Sequence, residues 1–384
     1  MSAELDRLAA AMRRHGLDAV LLSTPPSVTY ASGWPAPLPL GFVADITRWL
    51  PALALVTGGG EVQLLVNEAD APAARQGWAT GVRTFDVLSH FEPADPAASF
   101  RGALVDALRD AGLAGSHAAV GVEQTLPWLA TQELAAIAPA TRVGDATPAV
   151  EEARRVKTPR EIELLRGAGA VADTGQRRLL ELARDAAAPV VDTALWAEVV
   201  GAMEVAAGLP VPVSGSIQAA SASADFTAGG PTGMTVAPGD PILLDIGPRV
   251  AGYWADCANT VVFGAEPTDE RRRYLAATRD ACLSGIEALR PGRRCLEVWQ
   301  AVRDAFARHG FPIAHYAGHQ VGSSVNERPR LLPFDDTVIE PGMIFAVEAG
   351  AYEGAGGSFG ARAERVALVT GGEPEILSAF PWEL

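Results

Sequence analysis

Asp245 and Asp256 sit in surroundings that do not suit an ionised acid. They lie in ILLDIGPRVAGYWADCANTVVFG, residues 242–264, inside runs that are otherwise apolar and β-prone. Pro248, Ala251 and Gly252 mark a turn between the runs. A hairpin turning about residues 250 and 251 sets the two carboxylates opposite each other, with Cβ atoms about 5 Å apart. Like charges that close in a half-buried sheet repel, and a bound cation reverses the sign of that interaction. Residues 343–369, MIFAVEAGAYEGAGGSFGARAERVALV, repeat the plan, and a turn near Gly356 sets Glu348 opposite Glu364. His319, in HYAGHQVG, falls between the two hairpins. Taken alone it reads as an ordinary structural histidine. Beside four carboxylates it reads as the one imidazole of an oxygen-rich ligand set, which suits two hard or borderline divalent ions such as Mn²⁺, Co²⁺, Fe²⁺ or Zn²⁺. The competing reading, turn acids facing water, is weakened because each acid lies within an apolar run and an unpaired buried carboxylate is costly.

The order Asp, Asp, then GH, then VE, then ERV resembles the pita-bread metallopeptidases, which include methionine aminopeptidase, prolidase and aminopeptidase P, with creatinase as a metal-free relative. All five ligand positions of that family are matched, by Asp245, Asp256, His319, Glu348 and Glu364, and GARAE matches its Gly-x-Arg-x-Glu. The resemblance covers nearly the whole chain. It implies a divalent-metal hydrolase, manganese being the first choice of metal, in which Glu348 both ligates and takes up a proton. It also implies that His315, in HYAGH, faces substrate, where an imidazole can donate to a carbonyl. Arg362, two residues before Glu364, shares its strand face and is expected to pair with a ligand carboxylate. Three departures stand out. In NERP, Asn326 occupies the position of the histidine in the family's His-Glu-x-Pro, while Glu327 and Pro329 remain. The window 221–230, SASADFTAGG, lacks the histidine that precedes the first aspartate and offers Asp225 and Thr227 instead. The family's Asp-x-Thr-Arg-Thr is Asp256-Cys257-Ala258-Asn259-Thr260 here. Asn326, Glu327 and Arg362 are therefore the candidates for handling substrate or supporting the ligands.

These residues need elements to carry them. Leu5, Leu8, Ala9 and Met12 repeat at helical spacing and Gly16 ends the run, so the chain opens with an amphipathic helix. DAVLLS reads as a short buried strand, and LPALALVTGGGEVQLLV as a hairpin about its three glycines. Helix and strand patterns alternate up to Pro148, which predicts an α/β N-terminal domain over 1–149. A second domain over 150–384 opens on Thr158, Pro159 and Glu161, an N-cap, N1 proline and capping box. Helices are expected near 269–289 and 296–309, each half of this domain giving helices and then an acidic hairpin. The fold class is α/β (α+β): a creatinase-like N-terminal domain followed by a pita-bread domain, whose curved antiparallel sheet with outer helices the resemblance supplies.

Composition narrows the function. The 384 residues are 48% hydrophobic and 20% charged with a net charge of −15. No basic run suggests nucleic acid, and no uncharged apolar run reaches membrane-spanning length. Three cysteines without a CxxC, and an N-terminus without a signal-peptide core, predict the cytoplasm. The leading expectation is hydrolysis of a C–N bond in a small peptide, with Xaa-Pro specificity and a homodimer implied by the resemblance alone. Two other functions compete with it: a C–N hydrolase or lyase acting on a small metabolite, and a non-catalytic binding module. Retention of all five ligand types speaks against the module.

Overall fold

The computed structural model describes residues 2–89, 91–226 and 229–382. Two compact units divide the chain, Met1–Arg154 and Arg155–Leu384.

The first unit is built on one mixed six-stranded sheet. Its strands are β1 (Ala19–Leu22), β2 (Leu53–Thr57), β3 (Val62–Asn67), β4 (Gly81–Phe85), β5 (Ala119–Val122) and β6 (Arg142–Asp145). They run in the order β4-β3-β2-β1-β5-β6. Side-chain alternation sends Val20 and Leu22 into one apolar cluster with Leu8, Met12 and Tyr30. It sends Ala19 and Leu21 into another with Phe100, Leu104 and Leu108. Helices Ala3–Arg14 and Pro25–Ser32 feed the first cluster, and helices Pro96–Asp110 and Trp128–Ile137 the second. The TPPSVTYASGW segment forms the helix Pro25–Ser32. Thr24 caps it, a proline stands in its first turn, and Gly33 closes it at φ 70°.

The second unit carries two acidic hairpins. Its strands are β7 (Val190–Val191), β8 (Val213–Ala219), β9 (Thr235–Val236), β10 (Pro241–Val250), β11 (Tyr253–Trp254), β12 (Cys257–Val262), β13 (Gly318–Gln320), β14 (Glu327–Arg330), β15 (Ile344–Tyr352), β16 (Gly360–Leu368) and β17 (Glu375–Ile376). β8, β11 and β12 all pair with β10, while the second sheet runs β14-β13-β15-β16-β17. All pairings in both sheets are antiparallel. Helix Pro159–Arg184, with the expected capping box, lays Ala168, Leu179 and Leu180 against Ile242, Leu244 and Ile246 of β10. Helices Asp269–Ala288 and Cys295–Arg308 cover β15 in the same way, through Cys282, Val298, Val302 and Phe306 against Phe345 and Val347. Each half is thus a hairpin backed by helices. Thr260 of β12 ties the halves together: its hydroxyl accepts from Arg362 N at 2.9 Å and reaches Arg362 O at 3.3 Å.

Candidate metal centre

The second hairpin has the expected register. Glu348 pairs with Glu364 in the regular ladder of β15 and β16. The first hairpin differs by two residues: Asp245 faces Ala258, not Asp256. The chain reverses through Ala251 and Gly252, both at positive φ (47° and 90°), the two-residue turn that fits the twist of adjacent strands. On this register Asp256 falls opposite Gly247, diagonal to Asp245 and on the same face. A side chain at 247 would collide with Ala255 O and reach to within 3.6 Å of Asp256 Oδ1, so glycine leaves that space to the carboxylate.

His319 joins the group from the short strand β13, paired with Ala346 of β15. Its Nδ1 lies 2.9 Å from Gln320 O, so Nδ1 carries the proton. That leaves the Nε2 lone pair 3.5 Å from Asp256 Oδ2. Burial lowers the pKa of His319, which favours the neutral ring. A lone pair facing an ionised carboxylate oxygen is repulsive unless a proton or a cation lies between them. Donor atoms of Asp256, His319 and Glu364 all lie within 4.8 Å of one another. Asp245, Asp256, His319, Glu348 and Glu364 together line one cavity of about 370 Å³.

The electrostatics point the same way. Burial raises the pKa of Asp256 well above the ordinary carboxylate range, and Asp245 and Glu348 push it further. Glu364 is raised well above its ordinary value by burial and then by Asp256, Asp245 and Glu348. Asp245 is raised by burial, against the opposing pull of Arg362. Arg362 donates through NH1 to Asp245 Oδ2, with its Nε 3.3 Å from Glu348 Oε1 and 2.9 Å from Tyr352 OH. It supplies one positive charge against four carboxylates. The oxygen-rich donor set, the imidazole lone pair and the surplus of buried negative charge fit divalent cations.

This arrangement has a thermodynamic signature. Raised acids leave the fold unpenalised below the ordinary carboxylate range, where folded and unfolded chains both hold the proton. The penalty grows as pH climbs toward the raised folded values. A bound cation removes it. The Tm gain of EDTA-treated protein on adding Mn²⁺ is therefore expected to be larger at about pH 8 than at about pH 5.5. Calorimetry giving equal gains at both would contradict the buried-acid account.

His315 lies behind Glu348. Its Nδ1 is 2.7 Å from Tyr316 O, and its Nε2 is 3.4 Å from Tyr352 OH and 3.8 Å from Glu348 Oε1. Phe226 stacks on its ring at 4.8 Å and also covers the Arg362 guanidinium at 5.0 Å. In the histidine-free window, then, an aromatic ring meets these groups. Asp225 is exposed and accepts from Phe226 N, and Thr227 lies outside the described residues. Asn326 lines the cavity, its Oδ1 accepting from Arg330 Nε at 2.9 Å. Glu327 is not among the described lining residues. Its carboxylate turns to the other side and meets the buried Lys157 ammonium at 3.1 Å. Tyr352 joins the Arg362 cluster and Arg330 holds Asn326. Trp254 and Phe359 are buried, Phe359 against Tyr274. Sequence reasoning missed Ser214 and Ser216 of β8, Tyr316 and Phe226, all lining the cavity.

Gly318 lets β13 approach β15. It holds φ 128°, and a Cβ there would run into Ala346 O. Gly318→Ala is expected to cost several kcal/mol and displace His319, on the order of the largest single-site effects. Chemical denaturation reads the loss, and a change under about 1 kcal/mol would contradict it.

A family comparison bears on this geometry. The model of metallopeptidase family M24 matches residues 163–371, which contain all five cavity ligand candidates. The chain belongs to this family. Residues 4–156 match the creatinase/prolidase N-terminal domain. Among M24 relatives, the Xaa-Pro dipeptidase of Lactobacillus helveticus is 31% identical over 233 residues, 60% of this chain and 62% of that protein. The chain therefore aligns with less than two thirds of that protein's length. The Xaa-Pro dipeptidase of Pyrococcus horikoshii is 24% identical over 357 residues, 92% of this chain and 90% of that protein. In structure, the X-Pro aminopeptidase of Thermotoga maritima superposes with a TM-score of 0.80 at 20% identity, covering 99% of this chain and 98% of that one. That likeness is one of fold. M24 enzymes are metallopeptidases that use divalent ions, which agrees with the donor set above. The three cysteines are free and buried, and no described helix is long and apolar enough to cross a membrane.

Proposed function

We propose that this chain is an Xaa-Pro peptidase that cleaves the amino-terminal peptide bond of short peptides, with divalent ions held by Asp245, Asp256, His319, Glu348 and Glu364. The observation that carries the reading is the convergence of Asp256, His319 and Glu364 within 4.8 Å in an M24 chain. The names of its relatives, Xaa-Pro dipeptidases among them, support the substrate class and do not favour a small-metabolite C–N hydrolase or lyase. An intact donor set likewise gives no support to a non-catalytic binding module.

Two divalent ions, manganese foremost, supply Lewis acidity toward a carbonyl and acidify a water toward neutral pH. The protein's own residues do the rest in this reading. Glu348 takes the proton of the attacking water and passes it to the leaving nitrogen. Arg362 holds Asp245 and Glu348 in place. The Asn326 amide donates to the substrate carbonyl and favours the tetrahedral oxyanion. His315, whose Nδ1 proton goes to Tyr316 O, offers its Nε2 lone pair to Tyr352 OH and holds that hydroxyl beside Glu348. Phe226, over His315 and Arg362, keeps water from these groups. The reading assigns the chemistry to residues 150–384, with 1–149 a separate N-terminal domain. It also includes a cytoplasmic homodimer, which light scattering at monomer mass would contradict.

The test is a panel of Xaa-Pro dipeptides and Xaa-Pro-Xaa peptides incubated with Mn²⁺- or Zn²⁺-loaded protein, with products followed by mass spectrometry. Release of the amino-terminal residue is expected. No cleavage by protein with measured bound metal would overturn the Xaa-Pro assignment in favour of a small-metabolite substrate.

A further inference from the structure

Lys157 is a lysine with a fully buried side chain, a costly arrangement that calls for a reason. It lies just before the helix Pro159–Arg184, and its backbone N donates to Gly342 O at 2.9 Å, at the approach to β15. Its ammonium meets two partners far along the chain, Gln320 Oε1 and Glu327 Oε2, the latter at 3.1 Å. Gln320 and Glu327 are a cross-strand pair of β13 and β14. Residues directly opposite share a sheet face, so one ammonium clamps both strands from one side. Their neighbours point the other way. His319 precedes Gln320 and Asn326 precedes Glu327, and both line the cavity. The clamp therefore lies directly behind one metal-ligand candidate and one substrate-facing candidate.

The Glu327 carboxylate is held elsewhere as well. Ser324 N donates to its Oε1 at 3.0 Å, and it lies over Gly322, where any Cβ would collide with it. Gly322 O in turn accepts from Trp254 N of the first hairpin at 2.8 Å. The β13–β14 pair is too short to fix its own geometry, since three and four residues form few ladder bonds and the register shifts between His319 and Gln320. An ordinary core contact would hold the strands down but would not set their spacing.

We propose that Lys157 is a positioning residue: through Gln320 and Glu327 it sets the spacing and facing of β13 and β14, and thereby aims His319 at the metals and Asn326 at the substrate. The inference rests on the reading of His319 as a metal ligand. It predicts that the clamp governs metal affinity separately from stability. Replacing both buried charges with apolar side chains of similar volume keeps the core packed, as in Lys157→Met with Glu327→Met. Gln320→Leu leaves the ion pair intact and removes only the arm nearest His319.

The experiment is Co²⁺ titration of metal-free protein, read by visible absorption, on the wild type, Gln320→Leu, the Lys157→Met/Glu327→Met double variant and His319→Ala. The expected result is a Kd raised about tenfold to a hundredfold in the first two variants, with an altered ligand-field spectrum and a cooperative thermal transition retained. Wild-type affinity and spectrum in Gln320→Leu and the double variant, with His319→Ala impaired, would overturn the inference alone. Wild-type Co²⁺ binding by His319→Ala would instead overturn the ligand reading beneath it. If the double variant does not fold, Gln320→Leu decides: wild-type binding there overturns the proposal.

Discussion

Replacing Glu348 with Gln is expected to lower kcat/KM by about 10²–10⁴-fold while the protein stays folded. Among the described residues of the cavity, Glu348 is the acid that reaches both Arg362, at 3.3 Å, and His315, at 3.8 Å. A carboxylate with those neighbours can take a proton and hand it on. The amide keeps the shape and one oxygen but cannot accept a proton. Glutamine also fits the site, since β15 is regular there and Glu348 is only 4% exposed. Steady-state kinetics on an Xaa-Pro peptide, with metal content measured on the same samples, separates two causes. Retained metal with lost turnover assigns the proton role, whereas lost metal assigns a ligand role alone. Activity within a few-fold of wild type would remove Glu348 from the mechanism.

Arg362→Leu is expected to destabilise the metal-free protein by about 3–5 kcal/mol, the usual result of stranding a buried charge. The guanidinium side chain is 4% exposed and bonds Asp245 and Tyr352 while facing Glu348. Burial disfavours its charge, but Glu348, Tyr352 and Asp245 outweigh that and raise its pKa. Leucine leaves two carboxylates without their cation and Tyr352 OH without its donor. Added Mn²⁺ supplies the missing positive charge and is expected to recover part of the loss. Urea denaturation with and without metal reads both effects. A loss under about 1 kcal/mol, the size of an exposed ion pair, would contradict the account.

Much of this site was legible in the sequence because strands alternate. Glu348 and Glu364 lie in two nine-residue strands that are buried but for the half-buried Tyr352 at the end of β15, so the pattern and the glycine-rich turn fix their register. For Asp245 and Asp256 the apolar runs do not say which two residues adopt positive φ, and the turn falls at Ala251 and Gly252 instead of 250 and 251. The register changes by two, an even number, so both carboxylates keep the cavity face; a change of one would have turned Asp256 away. Glu327 shows the converse. A motif names it, but its neighbour Asn326 takes the cavity side and alternation sends Glu327 to Lys157. Ser214 and Ser216 were out of reach because VPVSGSIQAA has little strand signal of its own. It becomes β8 by pairing with β10. Phe226 carries no local pattern at all, and only the folded chain brings it over His315 and Arg362.

We propose that five side chains from two hairpins and one short strand hold a pair of divalent ions. Elemental analysis of Mn²⁺-loaded, desalted protein tests it most directly, with Glu364→Ala alongside. The account predicts two ions per wild-type chain and fewer than one in the variant. A wild-type chain that keeps no ion, or a variant that still keeps two, would contradict it.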